Sequence, residues 1–428
     1  MMLDAGPHVS CGRLVSSMDG EPQPSAGADS PGSPKKAEKV QSPKEVLAAA
    51  VSDALNDTKA RLLVIWRRLP LLVQIMVIGF GTLCVVAWHY QEFVIRNWHF
   101  IRLLPKVALQ DRNRFVLTSD SQEAVRTAIA TLDREGASDL TASARFPPVV
   151  LYEAFSAAQT MISMRQARRD VFASIELQKN NACHCWSQFS NMPPNIATTA
   201  WVLRAYALAH RSPGKAEVQF LLSRQRGGGW PLYDDTRDLS TYATAHAVQA
   251  LHDLIEAKVL TPEERGEAEV ALNRGIGYLR GSAVGGRWRY YPERSDSDLS
   301  DADSGLAIYT LHYVGKGDSK LDRLWLGSLP HDHLGARDDE VSNARWLNRT
   351  DERQPPLPDP MRHLRLPWIL AATVSAYPSG SLWQRAKAGA WVEDILDQPE
   401  GSSLLPPENF RRSQLLIALR HLEEKARP

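Results

Sequence analysis

The sequence predicts an all-α fold of about six helix pairs, and three observations support this fold class. Apolar residues recur at helical spacing along most of the chain after residue 120. Helix-start signals are frequent, as where Thr261 precedes Pro262 and two glutamates. One unit also recurs every roughly 45–60 residues, which is typical of a repeat architecture. Each copy of the unit has a helix, a turn with a tryptophan, a polar loop and a second helix, and the three tryptophans are Trp186, Trp230 and Trp288.

The N-terminal part of the chain predicts a tail and a membrane anchor. Residues 1–58 begin with a stretch rich in proline, serine and glycine, which predicts a disordered tail. Residues 69–88 carry no charge over twenty positions, a length that matches a bilayer core of about 30 Å. Arginines precede this run and aromatic residues end it, so we expect one transmembrane helix within residues 59–90. The alternative is a buried core helix, and the flanking charges leave the orientation of a single-pass protein open.

Residues 91–119 alternate bulky apolar and basic residues and form a juxtamembrane linker in this interpretation. The pattern suits an arm on the lipid surface or a linker packed on the following domain. Residues 120–428 predict twelve helices, which make six pairs. Their expected ranges are 120–135, 148–163, 166–180, 196–210, 215–225, 240–258, 262–281, 300–315, 319–328, 364–377, 382–397 and 408–425.

The second unit carries a family resemblance. Gln225 follows an apolar helix, and Gly229 and Trp230 follow in turn. This spacing resembles the repeat of squalene–hopene cyclases, oxidosqualene cyclases and protein prenyltransferase β subunits. The third unit matches in part, and the first has Cys-His-Cys at positions 183–185 in place of glycines. The resemblance implies an α/α toroid, in which the last helix meets the first and the glutamine and tryptophan tie one helix pair to its neighbour.

An acidic segment before the third repeat helix is the candidate for acid catalysis. Class II terpene cyclases hold their general acid in an Asp-x-Asp-Asp motif at such a helix start. The resemblance therefore implies Asp303 as the proton donor and Asp301 as the first acid, with Ser304 in place of the last aspartate. This chemistry requires a carboxylic acid that stays protonated in an apolar pocket. The alternative is helix capping, since Ser300 and nearby acids also suit a helix N-terminus.

Aromatic residues on the predicted inner helices are the candidates for contact with substrate. Aromatic faces stabilise positive charge, as a carbocation intermediate requires. The alternative interpretation of each ring is core packing. The candidates are Trp201, Tyr242, His246, Tyr309 and Trp368.

The first repeat unit contains a weaker candidate for a metal site. Cys183, His184 and Cys185 could contribute thiolates and an imidazole to zinc. The alternative is a turn packed beneath Trp186. Four cysteines do not predict a disulfide framework at this length, and we expect the two cysteines of the Cys-His-Cys segment to stay reduced. No other cofactor is expected.

Three functions follow from these patterns. The leading hypothesis is a membrane-anchored toroid that binds, and cyclises or otherwise processes, an isoprenoid-like or lipid-like ligand. The alternative is a catalytically inactive, membrane-tethered binding or scaffold module. The third is a zinc-dependent cyclase or transferase. A net charge of +1 and the lack of a nucleic-acid-binding motif argue against a nucleic-acid partner, and the sequence leaves any protein partner open.

Overall fold

The computed structural model describes residues 97–145, 154–188, 193–234, 236–295, 297–329, 339–341, 362–397 and 409–427, together with residues 59, 88 and 91. The chain divides into two compact units, residues 1–87 and 88–428, and the account below concerns the second. The predicted tail of residues 1–58 and the predicted membrane segment of residues 59–90 lie outside the described residues, apart from Lys59 and Trp88, which are exposed. Within the described ranges, no helix has the length and apolar character needed to cross a membrane.

The second unit is mainly helical, as the sequence predicts. Two-residue strands flank two of the polar loops, and a further strand pair precedes a late helix. In chain order the elements are α1 (Trp98–Ile101), α2 (Leu104–Leu109), α3 (Ser119–Arg145), α4 (Ala154–Met164), α5 (Arg169–Leu177), α6 (Ile196–Leu208), α7 (Lys215–Ser223), β1 (Trp230–Pro231), β2 (Leu239–Ser240), α8 (Thr241–Glu256), α9 (Pro262–Gly281), β3 (Trp288–Arg289), β4 (Leu299–Ser300), α10 (Asp301–Tyr313), α11 (Ser319–Gly327), β5 (Asp339–Val341), β6 (Arg362–Leu364), α12 (Arg365–Ala376), a 3₁₀ turn (Tyr377–Ser379), α13 (Leu382–Leu396) and α14 (Asn409–Ala426).

Six of these helices contact one another in a closed series. Helix α4 contacts α6, and the series continues through α8, α10 and α12 to α14, which contacts α4 again. We call these six the central helices. The helices between them in the chain, α3, α5, α7, α9, α11 and α13, each pack against at least one central helix. Helix α12 shows why the central helices pack in the interior: it is apolar nearly all round and buried from Leu366 to Ala376.

The three repeat units share one hydrogen-bonded clamp. In each, the tryptophan backbone N–H donates to a hydroxyl in the first turn of the following helix, and the indole N–H donates to a carbonyl at the end of the preceding helix. The hydroxyl bonds are Trp186 to Thr199 at 3.1 Å, Trp230 to Thr244 at 2.9 Å and Trp288 to Ser304 at 2.7 Å. The indole bonds are Trp186 to Ile175 at 2.9 Å, Trp230 to Leu221 at 2.7 Å and Trp288 to Leu279 at 2.6 Å.

The glutamine of the second unit also links neighbouring helices. The Gln225 amide donates to the carbonyl of Gly228 at 3.0 Å and to the carbonyl of Ala271, within α9, at 2.8 Å. This contact joins the end of α7 to the next helix pair. At the start of α9, Thr261 and Glu264 form the reciprocal bonds of a capping box, as the local sequence predicts.

The turn before the tryptophan differs in the first unit. In the second unit, Gly227 and Gly228 both have positive φ angles, a conformation that glycine adopts readily. The first unit has a longer loop, in which His184 takes the positive φ. This loop brings the Cα atoms of Cys183 and Cys185 to 5.3 Å, within the range of a disulfide, and the two residues are bonded. The expectation that these cysteines stay reduced is therefore wrong.

The described part of the predicted linker packs on the helical unit. Leu103 and Val107 are buried, one helical turn apart, and α1 and α2 contact α13. The backbone N–H of Phe115 donates to the carbonyl of Lys425 at 2.8 Å, and Arg102 pairs with the buried Glu393 at 3.1 Å. Residues 97–118 therefore pack against the helices of this unit.

Candidate functional site

The five predicted ligand-contact side chains lie together among the central helices. Trp201 of α6 and Tyr242 of α8 flank His246 at ring-centroid distances of 4.9 and 4.5 Å. His246 also contacts Trp368 of α12 at 5.9 Å, and Trp368 contacts Tyr309 of α10 at 5.9 Å. All five are buried, and we call them the aromatic cluster. The sequence predicted its members, and the structure brings them into one continuous set of contacts.

Local sequence explains how these rings meet. Tyr242 and His246 are four residues apart and so lie on the same face of α8. Gly305 lets the neighbouring helices α10 and α12 approach closely, because a Cβ at this position would lie only 2.6 Å from the backbone carbonyl carbon of Trp368. The close approach brings Trp368 within contact of both His246 and Tyr309.

Asp303 lies buried in the first turn of α10, with 1% of its surface exposed. Its backbone N–H donates to the Ser300 side chain at 2.9 Å, which caps the helix. Burial raises the pKa of Tyr242 and of Tyr290, and the negative charge of Asp303 raises both further. The carboxyl group of Asp303 therefore lies in the electrostatic neighbourhood of two phenols, which keep their protons at neutral pH.

The other two predicted catalytic residues have structural partners. The Asp301 carboxylate pairs with Arg287 and, at 2.8 Å, with Arg365, so it ties the start of α10 to β3 and to α12. The Ser304 hydroxyl accepts the Trp288 N–H and donates to the carbonyl of Ser300. Ser304 therefore occupies the same place in its clamp as Thr199 and Thr244 do in theirs.

A cavity of about 550 Å³ opens at the other end of the central helices. Its lining comes from the C-terminal parts of α4, α6, α8, α10 and α14 and from the residues that follow them. Asp303 lies at the N-terminal end of α10, whereas Tyr309 and Tyr313 line the cavity from its C-terminal half. Tyr309 thus belongs both to the aromatic cluster and to the cavity wall.

A buried polar network that sequence reasoning missed crosses the wall of this cavity. The Arg204 guanidinium donates to Asp253 at 2.7 Å and to Gln249 at 2.5 Å. Gln249 donates in turn to Thr310 at 2.6 Å, and the Tyr313 hydroxyl donates to Asp253 at 2.7 Å. Burial lowers the pKa of Arg204, but the charge and hydrogen bond of Asp253 and the nearby tyrosines together raise it by more, so the net shift is upward. The available signal was an arginine within an otherwise apolar helix.

The zinc candidates do not form a suitable ligand set in this structure. Cys183 and Cys185 are joined in the disulfide, whereas zinc binds cysteine as the thiolate. The His184 side chain is half exposed and lies 3.9 Å from Glu217. Across the described ranges, no group of three or more His, Cys, Asp and Glu side chains is arranged to hold a metal ion.

No protein-family model matches this sequence, and no curated protein matches it. The chemistry of the site therefore follows from its own residues.

Proposed function

We propose that this chain is a membrane-anchored α/α toroid that binds an isoprenoid-like or lipid-like ligand inside its ring of central helices. The closed series of contacts from α4 to α14 and back supports the toroid, as does the repeat resemblance. The charge-free stretch at residues 69–88 supports the anchor. An anchor on the same chain as the binding site suits a ligand that is dissolved in the bilayer, because both partners are then concentrated at one surface.

One observation carries the choice of ligand: the aromatic cluster is continuous and ends at the cavity wall. A ligand that enters the cavity first meets Tyr309, and Trp368 and His246 follow behind it. Aromatic rings have large apolar faces, so an apolar ligand chain can pack against these rings in place of their contacts with one another. Binding without turnover is the favoured role, since the partners expected to assist Asp303 are occupied elsewhere.

Acid catalysis by Asp303 is the second candidate, and the burial of this carboxyl group favours it. In its protonated form, the Asp303 carboxyl group can donate its proton to an alkene carbon. The carboxyl O–H bond breaks, a C–H bond forms, and the resulting carbocation lies against aromatic faces. A later deprotonation of the cation by the Asp303 carboxylate returns the proton and regenerates the acid.

The test uses the full chain in detergent, incubated with extracted lipids and a panel of isoprenoids and followed by mass spectrometry. Tyr309→Leu removes the ring at the cavity wall, and Tyr377→Leu makes the same change at a buried site outside the cavity lining. We expect bound apolar ligand, reduced about threefold to tenfold in Tyr309→Leu but not in Tyr377→Leu.

A third variant, Asp303→Asn, separates the two candidate functions. Bound ligand with no product in either the parent or Asp303→Asn supports the binding module. A product that is lost in Asp303→Asn supports acid catalysis. The absence of both ligand and product contradicts the isoprenoid proposal.

A further inference from the structure

The charges that line the cavity cancel. Three arginines and three acidic residues contribute to its wall, namely Arg165, Arg204, Arg420, Asp253, Glu256 and Glu424. Each arginine has an acidic partner. Arg165 pairs with Glu424, Arg204 pairs with Asp253 at 2.7 Å, and Arg420 pairs with Asp133 at 2.6 Å. The carboxylates would repel an anionic ligand and the guanidinium groups would repel a cationic one, so the wall favours neither sign of ligand charge.

Two further polar groups of the wall, His421 and Tyr309, are neutral. The ring of His421 shares a hydrogen bond of 2.8 Å with the Ser375 hydroxyl through Nε2. Burial lowers the pKa of His421 to about 4, so the imidazole is neutral at pH 7 and has one ring nitrogen, Nδ1, beyond its bond to Ser375. Burial likewise raises the pKa of Tyr309 to about 12, so its phenol keeps the O–H group.

Tyr309 is the most informative of these groups. Its residue is 6% exposed, it lines the cavity, and its hydroxyl has no hydrogen-bond partner among the residues that the structure describes. In the cavity wall, this hydroxyl is available for a hydrogen bond to a ligand or to water. The ring of Tyr313, beside it, is partly exposed and gives the cavity an aromatic face.

A sugar matches this combination of groups. Each sugar hydroxyl can both donate and accept a hydrogen bond, so it can bond to a guanidinium donor and to a carboxylate acceptor of the wall. The apolar face of a sugar ring also packs on aromatic rings. The cavity volume of about 550 Å³ is within the range of small-molecule sites. We propose that this cavity binds a neutral, polyhydroxylated group, either a free sugar or the sugar headgroup of a lipid. This site goes beyond the apolar ligand proposed for the aromatic cluster and does not depend on Asp303.

The test uses the full chain, purified in a detergent without a sugar headgroup so that the detergent cannot compete. Glucose, galactose, mannose and N-acetylglucosamine are titrated as free sugars, and glycolipids with the same headgroups are presented in lipid nanodiscs. Tyr309→Phe removes the hydroxyl and keeps the ring, and Tyr377→Phe is the matched change outside the cavity lining. We expect binding that weakens about threefold to tenfold in Tyr309→Phe and is unchanged in Tyr377→Phe.

The outcomes separate the sources of the sugar and the competing ligand classes. Binding of free sugars supports the proposal with a soluble ligand, and binding of glycolipids alone supports it with a headgroup. No binding of either kind overturns it, as does equal binding by Tyr309→Phe. Tighter binding of inorganic phosphate or tetramethylammonium than of any sugar also overturns it. Apolar ligand that is retained by the parent protein in the mass spectrometry assay, without any binding of sugar, distinguishes failure here from failure of the proposed function.

Discussion

The close approach of α10 and α12 at Gly305 predicts that alanine at this position destabilises the fold. In most helix interiors, Gly→Ala stabilises by about 0.5–1 kcal/mol because glycine loses more backbone entropy on folding. At position 305, the new Cβ would lie 2.6 Å from the carbonyl carbon of Trp368, 2.7 Å from its oxygen and 2.8 Å from the backbone nitrogen of Ile369. These are backbone atoms, so relief requires movement of the whole of α12.

The expected magnitude follows from these opposing terms. Overpacking of a well-packed core costs about 1–3 kcal/mol, and the gain in helix propensity offsets up to about 1 kcal/mol of it. We therefore expect Gly305→Ala to lower the free energy of unfolding by about 1–2 kcal/mol. A larger loss is expected if α12 cannot shift.

A matched control exists in α9. Gly277 is exposed within that helix, and a Cβ there would meet nothing within 4 Å. Gly277→Ala should therefore raise the free energy of unfolding by about 0.5–1 kcal/mol. Denaturant unfolding of the full chain in detergent, followed by circular dichroism, measures both variants. If Gly305→Ala proves as stable as Gly277→Ala, the helices are not packed at this distance and the reasoning fails.

Three further outcomes are expected in the same unfolding assay. Thr244→Val should lower the free energy of unfolding by about 1–3 kcal/mol, because the Trp230 N–H is left buried without its acceptor. A change near zero would contradict the clamp. Asp253→Asn should cost about 3 kcal/mol, since it leaves the buried charge of Arg204 uncompensated, whereas a neutral result would show that water reaches that charge. The pKa of His421 is lowered to about 4 from 6.5, so the unfolded chain binds the proton first as the pH falls. The contribution of the neutral His421 side chain to the free energy of unfolding is therefore complete above pH 6.5 and is lost as the pH falls from 6.5 to 4. The loss is at most about 3 kcal/mol. His421→Gln should lack this pH dependence.

The positions of the helices could be predicted from the sequence because their signals are local. Capping residues, apolar periodicity and turn glycines act over a few neighbouring residues, and α9 occupies the predicted range. The largest difference is α3, which continues to Arg145 instead of ending near residue 135, because no strong helix breaker interrupts it. The aromatic cluster was also predictable, since its rings lie on central helices that the repeat pattern identifies.

Contacts between residues that are far apart in the chain decided the features that the sequence could not predict. The ion pair of Arg204 and Asp253 joins residues 49 positions apart, and that of Arg365 and Asp301 joins residues 64 apart. The sequence alone determined the helices, the repeated clamps and the residues that could form a site, because these depend on local backbone preferences and spacing. Only the tertiary structure decided that Asp301 is held by two arginines, that the Cys-His-Cys loop closes in a disulfide, and that charges from four helix ends cancel around a cavity. Those features depend on distances between helices that are remote in the chain, which no local pattern encodes.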